Sequence, residues 1–426
     1  MGHVPVAAMR AGWDLVRSEQ SVDFRSRAPD AAVNYEYVET QSQLNALCDR
    51  LRSESYIYFD TEFVSEDVYL PDLCLVQISA GDILAIVDPK RVDDMNVFWD
   101  LIANGDHVSV VHSGREEFLF CYRATGKPPA NLFDTQIAGG LIGMEYPASF
   151  GNLILRLLDE KLPKGETRTD WRVRPLSSRQ IEYALNDVAY LGPAARELEK
   201  ELDKLDRSAW MQEEMASWQE ALIESTQRAR WRNVSGTGSL NRRALAVVRE
   251  LWKWRDKKAS AANIPARRIL RDDLIAELAK RKSANVKQIR AIRGMQRSDL
   301  NRYFEEIAEA IQIALDLDDA DCPSSQPNWN QGKQYVVLGQ FLSAALGSIC
   351  REAKVAPSLA CTVQDVRDLV AYHIDGAPEA PSLAQGWRAE VIGKTIEELL
   401  DGSLVVRIGD PRAVEPLAFD RRSDQG

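Results

Sequence analysis

At 426 residues the chain is longer than one ordinary domain, and 45% hydrophobic with 27% charged residues is the balance of a soluble globular protein, which sets aside disordered and fibrous classes. No apolar run reaches the length of a membrane span and no clean apolar signal segment opens the chain, so a cytoplasmic protein is expected. The net charge of -11 is unevenly spread: residues 226–300 hold 20 Lys+Arg and 6 Asp+Glu, a net of +14, so an acidic body is joined to a basic module.

Residues 1–34 are mixed, rich in Arg, Ser, Asp and Pro, and read as a flexible extension. From Tyr35 the pattern turns α/β. Helical spacing covers Thr40–Leu51, with Thr40 or Ser42 as the cap. Tyr56–Phe63 reads as a strand, and Leu73–Ser79 with Ile83–Val87 as a hairpin about Ala80-Gly81-Asp82. Helices are expected over Val92–Ile102, Glu116–Thr125, 135–143 and Phe150–Leu158, with strands at Val108–His112 and Leu132–Asp134. One long helix opens at Ser177-Ser178 and runs to about Leu205. The order implies a mixed sheet flanked by helices. Beyond Ser208 strand signals nearly vanish, and helices separated by two turn-rich linkers are expected over Met211–Arg230, 239–318 and 335–400. A short apolar run, Leu404–Ile408, leads into a polar tail. The six cysteines are scattered, with no Cys-x-x-Cys, and read as reduced, mostly buried thiols.

Three stretches carry potential chemistry. In Phe59-Asp60-Thr61-Glu62-Phe63 a strand sends Asp60 and Glu62 to one face, with Phe59 and Phe63 turned toward the core. Two adjacent carboxylates repel unless a cation shares them, and the cations that suit them are hard ones, Mg2+ or Mn2+. In Tyr183-Ala-Leu-Asn-Asp187 the tyrosine sits one helical turn before the aspartate, on the same face. In His112-Ser-Gly-Arg-Glu116-Glu117 two carboxylates enter the first turn of a helix, where the dipole favours them. Each alone also fits an ordinary solvated acidic surface. Together they fit two metals bridged by carboxylates, the arrangement for in-line phosphodiester hydrolysis with ions roughly 4 Å apart.

These stretches, with Phe133-Asp134-Thr135-Gln136-Ile137, Arg168-Thr169-Asp170-Trp171-x-x-Arg174-Pro175-Leu176 and Tyr183-Ala-x-x-Asp187-x-x-Tyr190-Leu191, occur in an order that resembles the ribonuclease D branch of the DEDD 3′-to-5′ exonucleases. The resemblance spans about Tyr35 to Leu205. It implies a ribonuclease H-like α/β exonuclease domain, with Asp60, Glu62 and Asp187 holding the nucleophile-side metal, Asp60 bridging to the second, and Tyr183 orienting the attacking water. The tyrosine places the chain in the tyrosine subclass. Glu117 stands where the family has aspartate, adding about 1.5 Å of reach; Glu116 is the alternative, about 100° away in helical phase. Thr61, Phe63, His112, Arg168, Trp171 and Arg174 are the expected substrate-side residues. Trp171 and the two arginines fit structural packing equally well, and His112 and His373 also read as ordinary structural histidines.

Leu245-x-x-Val248-x-x-Leu251-x-x-Trp254-Arg255 and Ile264-Pro265-x-x-x-x-Leu270-x-x-x-Leu274 resemble the HRDC domain, the helical module shared with RecQ-type helicases. The full expectation is an extension (1–34), the exonuclease domain (35–207), a helical linker (208–238), two all-α HRDC-type domains (239–318 and 334–410) joined by a linker (319–333), and a tail (411–426). Lys253, Arg255, Lys257, Lys258, Arg267 and Arg268 are the candidate nucleic-acid contacts, while Trp254 is expected in the helical core. The resemblance implies a monomeric exoribonuclease using two divalent cations, Mg2+ or Mn2+, on RNA, tRNA precursors above all. The rival readings are a DNA exonuclease on the same scaffold and an RNA-binding protein attenuated by Glu117.

Overall fold

The computed structural model describes residues 34–163, 169–227, 230–324, 333–376 and 379–422. They form two compact units: residues 34–62, Cys74–Gln219 and the chain beyond 332 make the first, and Phe63–Leu73 with residues 220–324 make the second.

The first unit is built on a six-stranded mixed sheet in the order β1-β4-β3-β2-β5-β6. Its strands are β1 (Glu36–Val38), β2 (Tyr56–Val64), β3 (Asp72–Ala80), β4 (Ile83–Val87), β5 (Val108–Val111) and β6 (Leu132–Asp134). β3 and β4 form the expected hairpin, turned at Gly81 with φ +48°. β5 runs parallel to β2, with Tyr58 opposite Val110, and β6 parallel to β5, with Asp134 opposite Val111. Helices α1 (Gln41–Leu51), α2 (Asn96–Asn104), α3 (Arg115–Thr125), α4 (Thr135–Leu141), α5 (Phe150–Leu158), α6 (Ser178–Ala189), α7 (Leu191–Lys204) and α8 (Ser208–Gln227) follow the expected order. Thr40 caps α1 and Ser177 caps α6, each in a capping box with the glutamine three residues on. The expected single helix to Leu205 is two helices, because the chain changes segment at Tyr190, just ahead of Pro193, whose missing N–H suits a helix start. Phe59 is fully buried and meets Phe98 edge-on at 5.6 Å, so the centre of β2 is pinned to α2.

In the second unit, α9 (Arg242–Ala262), α10 (Ala266–Ile269), α11 (Asp272–Arg281), α12 (Val286–Arg290) and α13 (Phe304–Asp316) surround one apolar core. Leu245, Val248, Leu251, Leu270 and Leu274 of the sequence pattern are all in it. Trp254 packs at its edge: the ring lies 5.6 Å from Tyr303, and Nε1 donates to Glu306 at 2.8 Å. The segment between β2 and β3 belongs to this unit, since the Tyr69 hydroxyl donates to Asp256 at 2.9 Å and its backbone N–H to Asn263.

The C-terminal part of the first unit comprises α14 (Lys333–Glu352), α15 (Pro357–Ala360), α16 (Val363–Asp375) and α17 (Lys394–Leu400). It closes with an antiparallel hairpin of β7 (Leu404–Ile408), the expected apolar run, and β8 (Leu417–Arg421), which lies where a polar tail was expected. The Leu-Ala-Phe-Asp-Arg stretch is too short for its alternation to stand out, and pairing with β7 supplies the order. Arg207 ties this part to the exonuclease helices. Its side chain is buried and donates to the carbonyls of Leu141, Lys354 and Ala353, with the guanidinium over Trp210. Glu214 adds a second tie by accepting from the Trp387 indole at 3.0 Å and from Arg388 at 2.6 Å. Arg207→Met removes donors from three carbonyls at once and is expected to cost about 3 kcal/mol of stability, read as a lower urea midpoint at unchanged m-value.

Candidate metal centre

β2 and α6 bring the acidic residues together. Asp60, Glu62 and Asp187 each offer a carboxylate oxygen within 4.8 Å of the others. All three are half-buried, so the repulsion between them is poorly screened. Burial and the Asp187 charge push Asp60 well above the usual carboxylate range. Burial, then Asp60, Asp187 and Glu117, pushes Glu62 up to about 10. Burial pushes Asp187 up to about 7, against the stabilising hydroxyl of Tyr183, which donates to it. Tyr183 is itself raised, first by burial and then by Asp187, and stays a protonated donor. A close set of hard oxygen donors, each raised by burial and two of them further by their neighbours' charge, fits a divalent cation of the Mg2+ or Mn2+ kind.

Glu117 reaches the same neighbourhood from the first turn of α3. The junction between β5 and α3 is set by Asp134, whose carboxylate accepts from the backbone N–H of Ser113 at 3.0 Å and of Gly114 at 2.8 Å. Gly114 is required there: a Cβ would lie 2.2 Å from Val111 Cγ2. The first turn of α3 then points Glu117 inward and Glu116 away, toward Arg115 and Arg123. Glu117 is buried, and the Thr61 hydroxyl donates to its Oε1 at 2.5 Å. Burial, then Asp60, pushes it up to about 8. It lies outside the group of three mutually close carboxylates.

The expected substrate-side residues are mostly engaged by the protein itself. Thr61 is buried against Glu117. Both ring nitrogens of His112 are hydrogen-bonded, to Thr135 Oγ1 at 2.9 Å and Ala148 O at 3.1 Å, and burial lowers its pKa. Trp171 is 3% exposed and packs 6.2 Å from the Tyr183 ring, so it supports that tyrosine instead of presenting a stacking face. Arg174 spends all five N–H donors inside the fold: on Asp88 at 2.6 and 2.9 Å, and on the carbonyls of Trp171, Val173 and Cys74. It is a clamp for the Trp171 segment and has no donor left for a phosphate. Phe63 is half-buried, unlike Phe59. Arg168 lies outside the described residues.

In the basic set, three of the six residues have ion-pair partners. Arg255 is buried and paired with Asp272 at 2.6 Å, Lys253 pairs with Glu250 at 3.0 Å, and Lys258 with Glu306 at 2.8 Å. Lys253, Lys257, Arg267 and Arg268 are exposed. Two residues that position the site escaped the sequence reading, Asp88 and Gln77, the latter donating from Nε2 to Asp60 Oδ2 at 2.9 Å; Asp134 is part of a motif named above but has no role assigned from sequence. A single polar side chain inside the apolar β3 run was the available signal for Gln77.

Comparison with known proteins places this geometry. Residues 35–203 match the model of a 3′-5′ exonuclease family, and residues 244–311 that of the HRDC domain. The chain is 30% identical to Ribonuclease D of Bartonella henselae over 83% of its own length and 87% of the relative. It is 33% identical to Ribonuclease D of Zymomonas mobilis over 87% and 95%. Among solved structures it is similar to Escherichia coli RNase D, described as an exoribonuclease involved in structured RNA processing, with a TM-score of 0.76 and 25% identity over 87% of this chain and 99% of that one. The fold is also that of the catalytic core of RRP6 from Trypanosoma brucei, at a TM-score of 0.53 and 22% identity over 74% and 86%.

Carboxyls raised in the folded state bind protons that the unfolded chain has already released, so stability falls as pH rises from about 5 toward 9. The metal-free protein, held in chelator, is expected to show this decline in Tm, and Glu62→Gln to flatten it. Stabilisation by Mn2+ grows over the same range as the cation displaces the protons. A wild-type slope no steeper than that of Glu62→Gln contradicts the electrostatic reading.

Proposed function

The chain belongs to the ribonuclease D family and is read accordingly as a 3′-to-5′ exoribonuclease, and we propose that it hydrolyses RNA one nucleotide at a time with two divalent cations held by Asp60, Glu62, Glu117 and Asp187. The observation that carries the reading is the meeting of Asp60, Glu62 and Asp187 oxygens within 4.8 Å in a partly desolvated site. The carboxylates fit Mg2+ or Mn2+: Asp60, Glu62 and Asp187 would hold the ion on the nucleophile side, and Asp60 with Glu117 would hold the second. Bound there, such ions supply Lewis acidity, lowering the pKa of a water and stabilising the departing 3′ oxygen. Tyr183 stays protonated, is held by Asp187 and braced by Trp171, and so presents a fixed hydroxyl that orients the attacking water. Water adds to phosphorus, the P–O3′ bond breaks, the 3′ oxygen takes up a proton, and a nucleoside 5′-monophosphate leaves.

The substrates proposed are structured RNA precursors with a 3′ tail, tRNA first among them, handled by a monomer in the cytoplasm. Residues 35–207 carry the chemistry and 239–318 the RNA contact, with 334–410 as a second HRDC-like element. The net +14 of residues 226–300 supports phosphate binding there. Within it, Lys257, Arg267 and Arg268 are exposed.

Incubation with 3′-labelled RNA and Mg2+ or Mn2+ tests the reading: mononucleotide release is expected from RNA in preference to DNA, and faster release from DNA would favour the DNA-exonuclease alternative. Asp60→Asn is expected to lower the rate by about 10³-fold or more while leaving the metal-free protein as stable as wild type, since it removes a repelled charge. Glu117→Asp shortens the side chain out of reach of Thr61 and is expected to bring no gain in rate; a tenfold gain, roughly 1.4 kcal/mol in the barrier, would show a native site attenuated by glutamate.

A further inference from the structure

β3 carries a polar side chain that packing does not explain. Gln77 is fully buried, in a run whose neighbours Cys74, Leu75, Val76 and Ile78 are fully buried and apolar. Its Nε2 donates to Asp60 Oδ2 at 2.9 Å, while its Oε1 is buried without a hydrogen-bond partner. An unbonded buried amide oxygen costs about 1–3 kcal/mol, and methionine would fill similar space without that cost. The donor end is what sets glutamine apart. Nε2 donates to Asp60 Oδ2, a bond that methionine could not make.

Asp60 needs such a hold. It shares a face of β2 with Glu62 and meets Asp187 within 4.8 Å, and like charges turn a carboxylate away from its neighbours unless a donor anchors it. One bond to Oδ2 selects the rotamer and leaves Oδ1 and the second lone pair of Oδ2 for a cation. We propose that Gln77 is a positioning residue for the metal centre: its amide holds Asp60 in the orientation that receives the cations before they arrive. The proposal rests on the reading of Asp60 as a metal ligand.

Mn2+ titration of the RNA-free protein by calorimetry separates the two. Gln77→Met keeps the length of the side chain and removes both polar ends. It is expected to raise the Mn2+ dissociation constant by about 10–100-fold, as loss of a group that orients a metal ligand does. The metal-free Tm should equal or exceed that of wild type because the orphan oxygen is gone. In the exonuclease assay, KM for RNA should stay within about twofold and saturating Mn2+ should restore kcat. Gln77→Leu is the second apolar variant and is expected to behave alike. Wild-type Mn2+ affinity in both variants overturns the proposal. So does a lost affinity matched by a fall in metal-free Tm, or failure of both to fold, each of which makes Gln77 a packing residue. If the wild-type protein itself takes up no Mn2+ and Asp60→Asn titrates identically, the reading of Asp60 falls and the proposal with it.

Discussion

Three carboxylates forced within 4.8 Å of each other are the feature on which the rest of this structure turns. Left to themselves, Asp60, Glu62 and Asp187 would swing toward bulk water and separate. The fold prevents this by anchoring the elements that carry them. Phe59 locks β2 into the aromatic core, α6 begins at a capping box on Ser177, and Tyr183 donates to Asp187. The electrostatic cost appears as raised pKa values, and a divalent cation is the partner that relieves it. Strain of this kind concentrates at sites of function because a surface with no ligand to hold has no reason to keep it.

A ring of side chains without chemistry of their own makes that anchoring specific. Asp134 ties the β5–α3 junction through two backbone N–H groups and thereby aims Glu117 inward. Arg174 spends its whole guanidinium on Asp88 and three carbonyls, so the Trp171 segment packs beside Tyr183. Thr61, between the two strand carboxylates but on the opposite face, grips Glu117. In the second unit Arg255 is buried and paired with Asp272, while Lys253 and Lys258 pair with Glu250 and Glu306 nearer the surface. A guanidinium whose five donors are all spent inside the fold, as in Arg174, has none left for a phosphate.

Glutamate at position 117 is a departure from the aspartate of the wider pattern, and the structure gives it a definite place. The extra methylene is taken up by the bond to Thr61, and the carboxylate is buried beside Asp60 instead of within the cluster of three. Burial and the neighbouring Asp60 push this acid up to about 8, so a cation bound beside it would be taken up with release of a proton.

What the sequence by itself determined is the part set by local geometry. The i, i+2 rule put Asp60 and Glu62 on one face, the i, i+4 rule put Tyr183 over Asp187, and the order of apolar runs announced a mixed sheet followed by helices. The tertiary structure decided everything that depends on a distant partner. It chose Glu117 over Glu116, because Asp134 sets the start of α3 from 17 residues downstream of Glu117 in the chain. It gave Arg174, Thr61 and His112 hydrogen-bond partners within the fold, packed Trp171 against Tyr183, and gave half of the basic set ion-pair partners. It added β8, and it showed Gln77 bonded to Asp60 across neighbouring strands. The physical reason is common to all: periodicity fixes which face a residue occupies, but only packing fixes what stands opposite, and a donor or carboxylate acquires its role from that partner.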